Sequence, residues 1–297
     1  MDRLASMAVF ARVATTRSFS LAARELGISQ ATASKHVQTL EAWFGAPLLH
    51  RTTRRVGLTE AGEGFLSQCM RILEDVDSAL QGGNPNAPLR GTLRLSAPIT
   101  FGCIRLGPLL AEFIRRNPEL SVLVMLNDQP ADAIEDGFDL ALTIRTRTLE
   151  VARFPQLVVQ RLAVLGFVVC ASPTYLEQHG TPATPPDLAD HLCVTGTEAG
   201  GEVWRFAGAD GELDVPVNGR FKTDNRLLRH RAVLGGAGVL LEPEFLAADD
   251  IDAGRLTRLM PDYPPVSATL ESVCPTHRAA TPKVRSLVAF LMERLNA

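Results

Sequence analysis

The stretch SFSLAARELGISQATASKHVQTLEAWF, residues 18–44, decides how the first part of the chain folds. Ser18 offers a hydroxyl N-cap, Ala22, Ala23 and Leu26 supply an apolar side, and Gly27 ends the turn of helix before Ile28 plugs inward. Ser29 is a second N-cap. From Gln30 a longer helix puts Ala33, Val37, Leu40 and Phe44 on one face, at spacings of four, three and four, and leaves Gln30, Ala31, Ser34, Lys35 and Gln38 on the other. Two helices joined by a short glycine-containing turn, with alanines where they must approach, are a helix-turn-helix. Upstream, Leu4, Met7, Phe10, Ala11 and Ala14 predict an amphipathic helix over 3–15. Downstream, Gly45-Ala46-Pro47 breaks the third helix, and LLHRTTRRVGL reads as a hairpin with a basic tip.

Thr59 then caps a helix over 60–81, in which Phe65, Cys69, Ile72, Val76 and Ala79 step by four and three while Leu66, Leu73 and Leu80 repeat every seven. Such a wide stripe must be covered, either by the helix's own domain or by a second copy; the heptad spacing favours a dimer seam of Phe65, Leu66, Cys69, Ile72, Leu73, Val76 and Leu80. QGGNPNAP (81–88) is a linker. Beyond Gly91 strands and helices alternate: TLRLS, an apolar helix with Leu106, Leu109, Leu110, Phe113 and Ile114, then LSVLVML, ADAIEDG and FDLALTI. That alternation predicts a parallel sheet with helical crossovers. Further on, VPVNGRFKT and ATLESVC read as strands and 225–235 and 282–295 as helices.

Composition narrows the function. The 297 residues are 46% hydrophobic and 21% charged, globular values that argue against disorder. No apolar run approaches the roughly 18 residues of a membrane span, and the N-terminus has no apolar signal core, so a cytoplasmic location without membrane contact is expected. Five dispersed cysteines fit reduced thiols rather than disulfides or zinc, with Cys103 read as a buried structural thiol. The net charge of −3 hides an asymmetry: residues 1–60 carry +4 and the remainder −7. A basic head on an acidic body suits a head that meets a polyanion. No G-x-S-x-G, H-E-x-x-H or P-loop is present, and GGAG is too short for a dinucleotide fingerprint, so no enzyme, cofactor or metal is expected.

MAVFARVATTRSFSLAARELGISQATASKHVQTLE and LLHRTTRRVGLTEAG closely resemble the LysR-type transcriptional regulators over the first 66 residues. GTLRLSAPITFG, FDLAL, ASPTYLEQHGTP and LGGAGVLLEPEFLAADDIDAGRL resemble the family's effector domain in their usual order. The resemblance implies an α/β protein with a winged helix-turn-helix (1–58), a linker and dimerisation helix (59–81), a hinge (82–90) and an effector-binding domain (91–297) like periplasmic solute-binding proteins, with lobe I at about 91–160 and 266–297 and lobe II at about 161–265. It also implies homodimers that pair into tetramers. The family often reads Arg where Thr143 stands, with Arg145 two residues on, and the segment RTRTLEVARFPQ lacks a common Asp-Ser pair.

The function expected is sequence-specific binding of double-stranded operator DNA, with binding or bending modulated by a small-molecule effector. Gln30 and Lys35 suit base edges; Ser18, Ser20, Ser29, Thr32, Ser34 and Gln38 suit bases or phosphates. Arg51, Thr53, Arg54 and Arg55 at the wing suit phosphates or a narrow minor groove. The plain alternative is a solvated polar face, and His36 and His50 read as packing or phosphate-side residues. For the effector, Ser96, Pro98 and Thr100 lie where a strand feeds a helix whose N–H groups suit an anion, and Arg145 suits a carboxylate. Thr143, Thr195, Thr197, Asp224, Asn225 and Phe245 are further candidates, against a reading of ordinary caps and turns. A solute-binding receptor without DNA regulation is the competing class; the basic head opposes it.

Overall fold

The computed structural model describes residues 2–51, 56–81, 88–128, 137–145, 156–197, 202–208 and 211–296, with backbone alone at 51 and 77–81. The chain divides into two compact units, Met1–Ala87 and Pro88–Ala297.

In the first unit, α1 (Arg3–Thr16), α2 (Phe19–Glu25) and α3 (Gln30–Phe44) surround a core of Val9, Phe10, Val13, Ala22, Ala23, Ala33, Val37 and Leu40. Each buried Val, Leu or Phe contributes about 1.5–3 kcal/mol. The caps are made as the sequence implies. Ser18 Oγ accepts the Leu21 N–H at 3.3 Å, and Ser29 Oγ accepts that of Thr32 at 3.0 Å. Leu4, Leu26 and Phe44 are exposed rather than fully inward: α1 buries Val9 and Val13 beside Phe10 in place of Leu4, and Phe44 rests against Phe65 at the edge of the core. The wing is an antiparallel pair, β1 (Leu49–Arg51) with β2 (Val56–Leu58), Leu49 opposite Leu58. Its tip, with Thr53, Arg54 and Arg55, lies outside the described residues, as does the Arg51 side chain.

Helix α4 (Glu60–Gln81) is anchored by Thr59, whose hydroxyl accepts the Gly62 N–H at 2.9 Å. Gly62 is obligatory there, since a Cβ would stand 2.0 Å from the Leu48 carbonyl oxygen. The expected dimer seam is corrected in its first half. Cys69 is fully buried in the unit's own core, the Phe65 ring lies tilted against those of Phe10 and Phe44 with centres 5.6 and 4.7 Å away, and Leu66 packs against the same core. Spacing records that a face is covered and not by which chain. Ile72 is 39% exposed and Leu73 and Val76 are half-buried; the Leu80 side chain lies outside the described residues.

The second unit is built on a five-stranded sheet ordered β4-β3-β5-β14-β6. Its strands are β3 (Gly91–Ala97), β4 (Leu120–Leu126), β5 (Leu140–Arg145), β6 (Leu157–Leu165) and β14 (Ala268–Pro275). Strand β3 runs parallel to β4 and β5, whereas β14 is antiparallel to β5 and β6, so the sheet is mixed and not purely parallel. A helical run, α5 (Ile99–Phe101), a π-turn (Gly102–Leu106) and α6 (Gly107–Arg116), covers one face together with the last helix, α11 (Pro282–Leu295), through Leu106, Leu110, Phe113, Leu287 and Leu291. Short α10 (Thr276–Ala279) leads into α11. Cys103 is exposed on the π-turn, which corrects its reading as a buried thiol.

The second lobe is inserted between β6 and β14. Because β6 pairs with β14 along its full length, the first lobe extends to Leu165, beyond the expected boundary near 160. A three-stranded sheet, β12-β7-β13 (Val239–Pro243, Phe167–Ala171, Thr257–Leu259), is flanked by α7 (Pro173–His179), α8 (Arg226–Leu234) and α9 (Glu244–Asp252). A hairpin, β9 (Val203–Gly208) with β10 (Gly211–Pro216), and a short parallel pair, β8 (Val194–Thr195) with β11 (Phe221–Lys222), complete it. VPVNGRFKT is therefore split between β10 and β11 instead of forming one strand.

Candidate nucleic-acid interface and effector cavity

On α3 the apolar positions Ala33, Val37 and Leu40 are buried, and that fixes which side faces outward. Gln30, Thr32, Lys35 and Gln38 are exposed, as are Ser20 and Ser29, while Ser18 and Ser34 are half-buried. Several hydroxyls have local work. Ser18 Oγ lies 3.0 Å from Ser20 Oγ, and Ser29 Oγ 2.8 Å from Thr32 Oγ1, in addition to their capping bonds. His36 is a packing residue, its Nδ1 2.9 Å from Ser6 Oγ. A residue the sequence did not single out ties α3 to the wing: Glu41 Oε1 accepts the N–H groups of Leu48 at 2.9 Å and Leu49 at 3.2 Å.

In the second unit a cavity of about 750 Å³ opens between the two lobes. The first lobe contributes Pro98 and Thr100 from the β3–α5 junction, and Thr143 and Arg145 from β5. The second contributes Thr197, Asp224 and Phe245. Phe101 and Phe245 meet edge to face, ring centres 5.9 Å apart, as one apolar surface of the cavity.

Three expected residues do not line it. Ser96 is buried within β3, beside Ala141 and Met125 in register, and Thr195 is buried in β8. Asn225 caps α8, accepting the Leu228 N–H at 3.0 Å. Lining residues not foreseen include Asp128, Arg226 and Arg229. The two arginines enter from the start of α8, the helix that the Asn225 cap signals in sequence. Asp128 changes the reading of the α5 start, because its Oδ1 already accepts the Ile99 N–H at 3.0 Å. Beneath the cavity wall Glu271, opposite Thr143 in β14, is held above the ordinary carboxylate range by burial, with the Arg145 charge opposing. Among the described residues no group of His, Cys, Asp and Glu suited to a metal occurs, and no helix is long and apolar enough to cross a membrane.

A winged helix-turn-helix with a polar outward helix, and a separate two-lobed unit with a charged cleft, define a ligand-responsive DNA-binding regulator. Residues 4–63 match the model of the bacterial regulatory helix-turn-helix protein, lysR family, and residues 86–296 match the LysR substrate binding domain. The chain is 34% identical to an HTH-type transcriptional regulator of Xanthomonas campestris pv. campestris, covering 97% of this chain and 84% of the relative. It is 31% identical to the HTH-type transcriptional regulator DmlR of Escherichia coli, covering 98% and 94%. Among solved structures, CrgA of Neisseria meningitidis, a LysR-type transcriptional regulator, superposes with a TM-score of 0.63 at 29% identity over 99% of each chain. The chain belongs to the LysR family: it is a DNA-binding transcriptional regulator with an effector-binding domain, and it is not an enzyme. The receptor reading without DNA regulation has no support in these likenesses.

Proposed function

We propose that the cavity between the lobes takes a small carboxylate, and that its occupancy changes how a homodimer or tetramer holds operator DNA in the cytoplasm. The observation that carries the ligand class is the charge of the lining, in which Arg145, Arg226 and Arg229 stand against Asp128 and Asp224 beside the Phe101–Phe245 surface. A planar guanidinium suits a carboxylate, and the aromatic edge suits an apolar body. Since Asp128 already occupies the Ile99 N–H, the arginines rather than the helix start supply the main attraction. On the DNA side, Gln30 and Lys35 read base edges while Arg51, Arg54 and Arg55 hold the backbone, with the layout 1–58, 59–81, 82–90 and 91–297 separating reading, pairing, hinge and sensing. The pairing surface is the Ile72, Leu73 and Val76 face of α4, which its own unit leaves exposed at Ile72 and half-exposed at Leu73 and Val76.

Calorimetry of the full chain against small carboxylates and their uncharged amides tests the ligand class. Arg145→Ala should weaken a bound carboxylate by about tenfold or more, the size of one charge-assisted hydrogen bond. Thr100→Ala should weaken it less. A ligand whose affinity ignores both substitutions, or amides that bind as well as acids, would overturn the assignment.

A further inference from the structure

The second lobe buries a charged cluster that the cavity itself does not use. His230 on α8 is 4% exposed and lies between two carboxylates from other elements. Its Nδ1 is 2.9 and 3.1 Å from the two oxygens of Glu242 on β12, and its Nε2 is 2.8 Å from Asp250 Oδ2 on α9. An ionised carboxylate can only accept, so both contacts are hydrogen bonds only when both ring nitrogens carry protons. The surroundings are consistent with that charge. Arg255 pairs with the other oxygen of Asp250, and Cys170 on β7 donates its S–H to Glu242 Oε1 at 3.5 Å. On β13, Arg258 pairs with Glu244, and β8, which also packs on α8, contributes no titratable group.

The elements joined here are the ones that wall the cavity. Helix α8 carries Arg226 and Arg229 into it, and the β12–α9 corner carries Pro243 and Phe245, next to Glu242. We infer that Glu242, His230 and Asp250 form a proton-held clasp that fixes α8 to the β12–α9 corner, closed while His230 is protonated and loosened once it is not. The inference adds regulation to the proposed effector site.

Burial alone would lower the His230 pKa, but the hydrogen bonds and charges of Glu242 and then Asp250 outweigh it and raise it. Asp250 is itself held low: burial opposes, while Arg255 and His230 favour its charged form. The sign follows from the raised value. The stabilisation is complete below the ordinary histidine pKa of about 6.5 and is lost as pH rises through the higher folded-state value. Deprotonation removes one N–H and leaves a nitrogen lone pair facing a buried carboxylate.

The test uses the full-length protein labelled at histidine ¹³Cε1. Of the six histidine signals, His230 is the one lost in His230→Gln. Its titration midpoint should lie above the ordinary value of about 6.5. A midpoint at or below that value, or a neutral ring throughout, would overturn the clasp. Hydrogen exchange followed by mass spectrometry, corrected for the intrinsic pH effect, gives the mechanical half. Amides of α8 and residues 239–252 should lose about tenfold or more of their protection between about pH 6 and pH 9, while β3 and β14 do not. Glu242→Gln should abolish that difference. Equal protection at both pH values in the wild-type chain would refute the link to the cavity wall. Neither readout needs a ligand, so both stand apart from the effector assignment.

Discussion

Glu41 offers the sharpest check on how the recognition helix and wing are held as one piece. Its Oε1 accepts two backbone N–H groups, from Leu48 and Leu49, residues that are 0% and 4% exposed. Glu41→Ala leaves both donors without that oxygen. Hydrogen bonds to a charged group contribute about 1.5–3 kcal/mol each, and two bonds sharing one half-exposed oxygen fall toward the low end, so the loss should be about 2–3 kcal/mol. With a urea dependence of about 1.5–2 kcal/mol/M, the midpoint should fall by about 1–2 M. Glu41→Gln keeps an acceptor oxygen and gives up only the charge, so it should cost about 1 kcal/mol. The chain has two tryptophans, one in each unit, so Trp204→Phe leaves Trp43 as a local reporter beside Glu41, with the Arg3 guanidinium 5.5 Å above its ring. Urea unfolding of the Trp43 signal is the assay. If Glu41→Ala unfolds where the parent does, or if Gln is as damaging as Ala, the side-chain oxygen is not what ties the wing to α3.

Lys35→Ala should cost on the order of 1–3 kcal/mol on operator DNA and relax sequence preference, whereas Arg54→Ala should weaken all DNA alike and lower the salt slope by about one unit; salt titrations on operator and scrambled DNA separate the two. In α4, Ile72→Glu with Val76→Glu should dissociate the oligomer in sedimentation without unfolding it, while Phe65→Ala should cost its own unit about 2–3 kcal/mol in urea unfolding and leave association intact. Gly238 has φ of +145°, and a Cβ would stand 2.2 Å from the Leu192 carbonyl oxygen that accepts the Val239 N–H at 2.8 Å. Gly238→Ala should therefore destabilise the second unit by about 2–4 kcal/mol, read from Trp204 in a Trp43→Phe background.

The helix-turn-helix was legible because its signals are local. Ser18 and Ser29 cap within three residues, and Ala33, Val37 and Leu40 repeat at helical spacing. The α4 seam was legible only as a covered face, since Phe65 and Cys69 show the same spacing whether the cover is Phe10 or another chain. The β9–β10 hairpin is signalled by Gly208 and Gly211, paired in register at the ends of two alternating stretches, a pattern that sequence reasoning passed over. Half of the cavity escaped because it is assembled across distance. Arg145 comes to share a cavity with Arg226 and Arg229 only once the second lobe that carries those two has folded, and Asp128 reaches the Ile99 N–H from the end of another strand. Ser96 is singled out by its place near a strand-to-helix junction and Thr195 by its hydroxyl in a turn-like segment, and neither signal distinguishes a strand position facing the interior from one at the cleft.

The position of the second lobe within the first has a consequence for inheritance. Leu165 and Ala268 are register partners on adjacent strands, so the intervening hundred or so residues leave and re-enter the first-lobe sheet at neighbouring points. A segment with adjoining ends is a transferable cassette: it can be exchanged or redesigned while β6 and β14 keep their pairing and the first lobe keeps its core. That cassette holds Arg226, Arg229 and Phe245, whereas Thr100, Thr143 and Arg145 stay with the first lobe, so exchanging one contiguous piece of gene would renew one wall of the cleft and leave the opposite wall and the unit Met1–Ala87 as they are.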